Sequence, residues 1–176
     1  RPMLLVAPLM LVENETWQQD MRKFFDAHAF GPILTLYGDQ LQALRRGRGK
    51  ETEVGVPLLD LDRIRQHRVV ITNYDTLTNF QHSFAQAPDG RSIWSLVVTD
   101  EAQTFKTPNT RTSHALKAIH PDCHIACTGT PVENRLLDVW NILDAVQPSL
   151  LGTARDFKKR YESESGESGG LDELRE

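Results

Sequence analysis

Short runs of consecutive apolar residues recur along this chain and alternate with helix-forming stretches. The runs occupy residues 3–7, 33–37, 69–72, 96–99 and 124–127. A strand with one exposed face alternates apolar with polar residues, whereas a strand covered on both faces is apolar at successive positions. The pattern therefore predicts an α/β fold, in which crossover helices cover both faces of a parallel sheet.

Capping and periodicity signals predict helices between these runs. Thr16 and Gln19 have capping-box spacing, and we expect four side chains of that helix to pack on the sheet: Trp17, Met21, Phe24 and Phe25. Further helices are expected after three residues suited to a helix start: Asn73, Asn109 and Pro131. Residues 38–68 contain a basic stretch, 45–50, which we interpret as a loop followed by a short helix.

Length and composition indicate one domain followed by an acidic tail. The chain has 176 residues, of which 39% are hydrophobic, and we expect residues 1–161 to form the domain. Residues 162–176 hold six acids and one base, and 163–170 are only Ser, Glu and Gly, which predicts a linker and the start of another element. No apolar run approaches the roughly 20 residues that cross a bilayer, so we expect no membrane segment.

Net charge does not point to nucleic acid, and cysteine spacing argues against a disulfide or a zinc site. The net charge is −4, but residues 1–161 hold 18 acids and 19 bases, so bulk charge gives no support for nucleic-acid binding. Cys123 and Cys127 are predicted on one strand about 13 Å apart, too far for a disulfide. With His124 between them they cannot converge on zinc, so we expect buried free thiols in a reducing compartment.

Two adjacent carboxylates, Asp100 and Glu101, follow the fourth run and are followed by Ala102 and Gln103. In open α/β sheets, ligands bind at the carboxyl ends of the strands. An aspartate there is able to hold magnesium through water, and a neighbouring glutamate is able to orient or deprotonate an attacking water. The structural alternative is a solvated turn after a strand.

A second polar segment, 128–131, follows the fifth run, and its sequence is Thr-Gly-Thr-Pro. Thr130 and Glu133 form a capping box around Pro131, which gives both of them a structural explanation. Thr128 has no such explanation and is the better candidate for a functional hydroxyl. We therefore predict that Glu101 and Thr128 lie side by side at one edge of the sheet.

These segments and others in the same order resemble the Swi/Snf-type helicase-like ATPases of superfamily two. Motif Ia resembles residues 4–8 with Trp17, and the later DNA-contacting segment resembles residues 69–77. Motif II resembles residues 98–103 with Lys106, and motif III resembles residues 128–134 with 137–140. The resemblance spans about residues 3–161. Gln103 completes a DEAQ sequence where many members have histidine, as in the bacterial branch.

The resemblance implies a partial RecA-like lobe of a P-loop NTPase that uses ATP and Mg2+. Asp100 is then the ligand of a magnesium-bound water, and Glu101 is the catalytic base. Gln103 and Thr128 link the γ-phosphate site to movement between two motor lobes. Gly129 and Thr130 complete motif III.

The resemblance also implies double-stranded DNA as the partner, held by its phosphates. Five residues are candidates for that contact: Pro8, Leu9, Thr72, Asn73 and Lys106. Backbone amides and small hydroxyls make such contacts without a large positive charge. For Thr72 and Asn73 a helix N-cap is the structural alternative, and for the loop 45–50 a solvated surface is the alternative to a DNA contact.

Two departures from the family pattern affect these expectations. The family has Asn directly before Trp, whereas two residues separate Asn14 from Trp17 here, so the local loop should differ. The chain also has no G-x-x-x-x-G-K-[ST] loop, and Lys50 has neither its spacing nor a strand before it. We expect the phosphate-loop strand and helix, and the second lobe, to lie elsewhere in a longer protein. The chain alone should bind neither ATP nor Mg2+ stably and should be inactive.

Two other functions remain open from the sequence. One is a magnesium-dependent nuclease that uses Asp100, Glu101 and Lys106, and the other is a non-enzymatic module that binds DNA or a protein partner. The bacterial resemblance implies a cytoplasmic, nucleoid-associated protein. The sequence leaves its oligomeric state and its biological process open.

Overall fold

The core of the fold is a five-stranded parallel sheet with the strand order β2-β3-β1-β4-β5. In the computed structural model, the described residues are 1–26, 28–85, 91–130 and 135–161. The strands are β1 (Met3–Ala7), β2 (Ile33–Thr35), β3 (Val69–Asn73), β4 (Leu96–Thr99) and β5 (Cys123–Ala126). All five predicted strands are confirmed, although β2 ends two residues early, β3 ends one residue late, and β5 begins and ends one residue early.

Helices connect these strands, and several are short. In chain order they are α1 (Leu9–Glu13), α2 (Thr16–Phe24), α3 (Gly38–Ala43), α4 (Glu51–Val54), α5 (Leu61–Ile64), α6 (Tyr74–Asn79), α7 (Gln81–Ala85), α8 (Arg111–Lys117), α9 (Leu136–Val146) and α10 (Ala154–Tyr161). A 3-10 helix, Ala102–Phe105, follows β4. None of the helices in the described ranges is long and apolar enough to cross a bilayer.

The two faces of the sheet are covered to different extents. On one face Leu4, Val6 and Val97 join a large core with α3 and α5 to α9. On the other face Leu5 and Ile71 join a smaller core with α1 and α2. Helices on both faces of a parallel sheet confirm the predicted α/β class.

Strand β5 is less covered than the sequence predicts. It forms one edge of the sheet, Ile125 is 45% exposed, and Cys123 is exposed as well. Both cysteines are free thiols, as expected, but the prediction that both are buried is wrong. The cause is that, within the described ranges, the core that α1 and α2 form on their face of the sheet reaches Val98 of β4 but no residue of β5.

Helix α2 differs from its prediction at both ends. Thr16 is its first residue and Glu15 is its N-cap, with no side-chain cap, while Gln19 donates from Nε2 to the carbonyl of Asn14 at 2.9 Å. The predicted capping box is therefore wrong. Of the four side chains predicted to pack on the sheet, Met21 is buried and Trp17 is partly buried against the same core. The prediction is wrong for Phe24 and Phe25, which are 66% and 55% exposed.

The caps of the later helices agree better with the sequence. The Asn73 side chain caps α6 by accepting from the backbone N–H of Thr76 at 2.8 Å. Helix α8 begins one residue later than expected, because the Thr110 hydroxyl and not Asn109 caps it. The start predicted at Pro131, with the capping box of Thr130 and Glu133, and the tail 162–176 lie outside the described residues.

Residues 38–68 contain α3, α4 and α5, where the sequence predicted one short helix. Glu51 of α4 is fully buried and accepts hydrogen bonds from the backbone N–H of Leu58 at 2.6 Å and of Ser83 at 2.7 Å. The Ser83 hydroxyl also donates to this carboxylate. Glu51 thus fastens this segment to α7 in the core.

The basic stretch 45–50 is a surface loop with its own internal contacts. Arg45 lies over the Phe80 ring, 5.3 Å from its centroid, and donates to the carbonyl of Gly49 at 2.7 Å. Arg46 pairs with Asp60 at 2.8 Å. These contacts support the surface-loop interpretation, and a DNA contact by this loop stays a prediction.

His124 joins β4, β5 and α9 below the open edge. Its Nδ1 lies 3.0 Å from the Ala145 carbonyl, so Nδ1 carries the proton, and its Nε2 lies 3.3 Å from the Thr99 hydroxyl. Burial lowers the pKa of His124 below its usual value near 6.5, and the Ala145 carbonyl only partly offsets this effect. Folding therefore favours the neutral form of the His124 imidazole.

This burial predicts a loss of stability in mild acid. Because the pKa of His124 is lower in the folded chain than in the unfolded chain, the unfolded chain binds more protons, up to one, as pH falls through about 6.5. The free energy of unfolding should therefore fall between pH 7.5 and 5.5, by at most about 1.4 kcal/mol per pH unit from this group. Urea unfolding of the wild type and of His124→Gln checks this. The variant should lose part of the slope, while exposed His114→Gln should keep it.

Candidate functional site

The carboxyl ends of β4 and β5 meet at one edge of the sheet and carry the predicted polar residues. The strands are paired in register up to Thr99 and Ala126. Beyond them the pairing continues, because the Cys127 N–H donates to the Thr99 carbonyl and the Ala102 N–H donates to the Cys127 carbonyl, both at 2.8 Å. The predicted juxtaposition of Glu101 and Thr128 is therefore confirmed.

Asp100 lies in a set of hydrogen bonds that fixes its orientation. Its backbone N–H donates to the Val6 carbonyl at 2.8 Å, which ties it to the central strand β1. One carboxylate oxygen accepts from the Trp17 indole N–H at 3.0 Å, and the other accepts from the Glu101 backbone N–H at 2.9 Å. The Tyr74 hydroxyl donates to the Asp100 carbonyl at 2.6 Å.

Glu101 adopts a left-handed backbone conformation, with φ of 51° and ψ of 55°. This region costs a non-glycine residue on the order of 1 kcal/mol, and such residues cluster at functional sites. The turn ends β4 and starts the 3-10 helix within one residue, so that Gln103 lies back beside Glu101. Gln103 donates from Nε2 to a Glu101 carboxylate oxygen at 2.6 Å.

A chain of hydrogen bonds links Glu101 to the loop after β5. The Thr128 hydroxyl donates to the Gln103 amide oxygen at 2.6 Å, and the Thr130 backbone N–H donates to the Thr128 hydroxyl oxygen at 3.2 Å. Because a carboxylate is only an acceptor, the Gln103 amide must turn its NH2 group to Glu101 and its oxygen to Thr128. In this row of hydrogen bonds, every donor points toward Glu101. Hydrogen bonds arranged in this way polarise one another.

The carboxylate of Asp100 is suited to hold a magnesium ion through the waters bound to that ion. A carboxylate has about four lone-pair sites, so the two donors at Asp100 leave room for metal-bound waters. Across the described ranges, no three His, Cys, Asp or Glu side chains come together to form a metal cage. Magnesium commonly binds through one carboxylate, waters and substrate phosphates, so a single aspartate at this edge suffices.

Comparison with known protein families assigns the chain. The family model described as the SNF2-related domain matches residues 1–176. The chain belongs to the SNF2-related domain family. This match confirms the resemblance to Swi/Snf-type ATPases.

The chain is similar to parts of larger proteins. It is 35% identical over 165 residues to the Zorya protein ZorD of Escherichia coli O139:H28, covering 91% of the chain and 14% of that protein. It is 37% identical over 106 residues to the human DNA excision repair protein ERCC-6-like, covering 59% of the chain and 8% of that protein. The chain therefore spans a small part of these relatives.

A solved structure supports the same assignment. The SWI2/SNF2 ATPase core of Sulfolobus solfataricus, in complex with double-stranded DNA, matches with a TM-score of 0.71 and 26% identity. The match covers 99% of the chain and 31% of that structure. It confirms that the SNF2-related domain has the fold of a RecA-like lobe.

The residues predicted to contact DNA fall into two groups. Pro8 and Leu9 lie at the carboxyl end of β1, and Leu9 and Met10 are 40% and 67% exposed at the start of α1. Lys106 follows the 3-10 helix and is half-buried. Gly129 and Thr130, beyond Thr128, are exposed. Gly129 and Thr130 were predicted as part of motif III and not as DNA contacts, whereas the DNA contacts of Pro8, Leu9 and Lys106 stay predictions.

Thr72 and Asn73 end β3 at the same edge, but their side chains serve the fold. Thr72 is fully buried, and its hydroxyl donates to the Leu36 carbonyl at 3.0 Å. Asn73 is the N-cap of α6, so its structural interpretation is confirmed. A DNA contact at this segment stays a prediction, and the Thr72 side chain does not reach the surface.

Sequence reasoning missed the two aromatic donors to Asp100. Trp17 was predicted to pack on the sheet and to belong to the segment that resembles motif Ia, and Tyr74 was predicted only as part of another resembling segment. An indole N–H or a phenol hydroxyl near a buried region normally requires a partner, which is a signal that both residues carried. Their spacing from Asp100, 83 and 26 residues, concealed the contact.

Proposed function

We propose that this chain forms part of the first motor lobe of an ATP-driven translocase of double-stranded DNA. The observation that carries the proposal is the hydrogen-bond chain from Thr128 through Gln103 to Glu101 across two adjacent strand tips. It combines a base and a polar relay at the sheet edge where α/β folds bind nucleotides. The family match, and the likeness to an ATPase core in complex with double-stranded DNA, support it.

In this proposal Glu101 is the general base for the attacking water. Gln103 holds one carboxylate oxygen and so fixes the direction of the group, while the left-handed turn separates it from Asp100. Asp100 holds magnesium through water. When bound, the ion neutralises charge that develops on the transferred phosphoryl group. Thr128 and Gln103 transmit changes at Glu101 to the loop that follows β5.

DNA is proposed to cross the same edge of the sheet. Pro8 and Leu9 are the best-supported contact, because the start of α1 is exposed and lies directly after the central strand. The same edge also carries Lys106, Thr72 and Asn73. The side chains of Thr72 and Asn73 fix the backbone there, and that backbone is proposed to contact the DNA. We place the protein in the bacterial cytoplasm, in association with the nucleoid.

The open end of the sheet is proposed to receive the phosphate-binding strand and helix. Ile125 and Cys123 are exposed on β5, and β5 is an edge of the sheet with a row of backbone groups available for pairing. A strand beside β5 and a helix over its bare face would bring phosphate-binding amides next to Glu101 and Thr128. A second lobe would then close over the nucleotide.

This arrangement predicts that activity depends on the rest of the protein. The 176-residue chain alone should show no ATP hydrolysis above background, because it has no phosphate-binding loop. The intact protein that contains it should hydrolyse ATP faster when double-stranded DNA is added. Phosphate release with and without DNA measures both, and displacement of a third strand from a DNA triplex measures translocation.

Two results would contradict the proposal. The motor function would be wrong if the intact protein hydrolysed ATP equally fast with and without DNA, or if it did not hydrolyse ATP. Metal-dependent cleavage of DNA without ATP would instead favour the nuclease.

A further inference from the structure

Two aromatic side chains converge on Asp100 from different parts of the fold. Trp17, in the first turn of α2, donates its indole N–H to the carboxylate at 3.0 Å. Tyr74, the first residue of α6, donates its hydroxyl to the backbone carbonyl at 2.6 Å. Each aromatic residue follows a segment with a predicted DNA contact, which is Pro8–Leu9 for Trp17 and Thr72–Asn73 for Tyr74.

We propose that Trp17 is a positioning residue for Asp100 and couples the segment beginning at Pro8 to the acidic motif. Contact at the start of α1 is thereby transmitted to the carboxylate that holds the magnesium-bound water. The inference rests on the proposed function, which it deepens by naming the residue that relays DNA binding to the site.

The contact with Trp17 is suited to setting one orientation of the carboxylate. An indole N–H is only a donor and an ionised carboxylate is only an acceptor, so the bond has a single sense. The Glu101 backbone N–H holds the second oxygen, so Trp17 and Glu101 together fix both ends of the group. Hydrogen bonds to an ionised group are among the strong ones in proteins.

The connection between α1 and Trp17 is short. Helix α1 ends at Glu13, and only Asn14 and Glu15 separate it from α2. Glu15 adopts a left-handed conformation with φ of 51°, and Gln19 of α2 donates to the Asn14 carbonyl. A shift of α1 therefore moves the first turn of α2, which carries Trp17.

The outer surface of α1 is available for contact, while its inner side is fixed. Leu9 and Met10 are exposed, whereas Val12 is 2% exposed and packs with Leu5 and Met21. Tyr74 supports the opposite side of Asp100. Burial first, and then the nearby Asp100 and Glu101, raise the pKa of Tyr74, so the phenol keeps its proton and continues to donate.

The bond itself is tested without measuring activity. In the 15N-labelled chain, the Trp17 indole N–H resonance is identified by its loss in Trp17→Phe. Asp100→Asn should shift this resonance upfield, because a neutral acceptor replaces a charged one. The indole resonances of Trp94 and Trp140, whose partners are the Phe84 and Gly152 carbonyls, should stay in place. An unmoved Trp17 resonance would overturn the inference.

The coupling is tested in the intact protein with Trp17→Phe, which keeps an aromatic ring but removes the donor. The magnesium concentration for half-maximal ATP hydrolysis should rise about tenfold, and stimulation by double-stranded DNA should fall by about the same factor. Excess magnesium should recover most of the rate. The matched control is Trp94→Phe, which removes an indole N–H in the core that bonds to Phe84, and it should keep the wild-type magnesium dependence.

The outcomes separate this inference from the proposed function. Wild-type magnesium dependence and DNA stimulation in Trp17→Phe would overturn the coupling and leave the motor intact. Absence of DNA-stimulated hydrolysis in the unmodified protein would overturn the proposed function, and the coupling with it.

Discussion

Replacing Glu101 with glutamine is expected to lower DNA-stimulated ATP hydrolysis in the intact protein by roughly 100- to 10,000-fold, the usual contribution of a general base. Glutamine has nearly the same shape but accepts no proton at neutral pH. The Gln103 contact should largely survive, because an amide oxygen still accepts from its Nε2. The rate of phosphate release at saturating ATP, Mg2+ and DNA measures the effect.

Two controls show that the loss comes from chemistry. DNA affinity of Glu101→Gln should match that of the wild type, since Glu101 is not among the residues proposed to hold DNA. Glu53→Gln makes the same chemical change at an exposed position of α4 and should leave the rate unchanged. A Glu101→Gln variant that still hydrolyses ATP at the wild-type rate would remove Glu101 from the role of base.

Replacing Glu51 with alanine is expected to lower the free energy of unfolding by about 3 to 5 kcal/mol. The substitution leaves two buried backbone donors, the N–H groups of Leu58 and Ser83, without their acceptor, and each such loss costs about 1 to 3 kcal/mol. The Ser83 hydroxyl loses its acceptor as well. Thermal unfolding should show a melting temperature roughly 10 °C lower for a domain of this size.

Glu53→Ala is the matched control for this substitution. Glu53 lies in the same four-residue helix but is exposed. Its replacement by alanine removes the same side chain and the same charge without breaking a buried hydrogen bond. Its melting temperature should change by no more than about 2 °C. Equal destabilisation by the two variants would contradict the assignment of the loss to the buried contact of Glu51.

Much of the sheet was predictable because burial on both faces leaves a strong mark on the sequence. The runs that became β1 and β4 have the observed bounds, since every position in them is apolar or the start of a polar tip. The prediction for strand β5 was less accurate because, among the described residues, the core formed with α1 and α2 reaches Val98 of β4 but no residue of β5. Its Cys123 and Ile125 look buried in sequence but are exposed in this chain.

The helices were harder to predict because local signals competed with tertiary contacts. Thr16 has a good capping residue type, but the left-handed turn at Glu15 moved the start of α2 and made Thr16 helical. One of the three short helices of residues 38–68, α4, is held by the buried carboxylate of Glu51, a residue type that sequence rules place on the surface.

The candidate site was predictable where its residues follow strands that are neighbours in the sheet. Glu101 and Thr128 were expected to meet because parallel strands end at one edge, and Gln103 joins them. The partners of Asp100 were not predictable, because Trp17 is 83 residues away in the chain and reaches it from α2. Such contacts depend on three-dimensional packing that spacing along the chain does not encode.

The single direction of the hydrogen bonds from Thr130 to Glu101 has a consequence for how the site registers proton transfer. If Glu101 takes a proton on the oxygen that faces Gln103, two donors meet and the amide has to rotate by half a turn. The rotated amide then offers an N–H to Thr128, whose hydroxyl has to release its own bond and turn as well. Uptake of one proton would thus reverse the two side-chain bonds between Glu101 and Thr128, while the Thr130 N–H, which is only a donor, keeps its direction and neither strand is displaced.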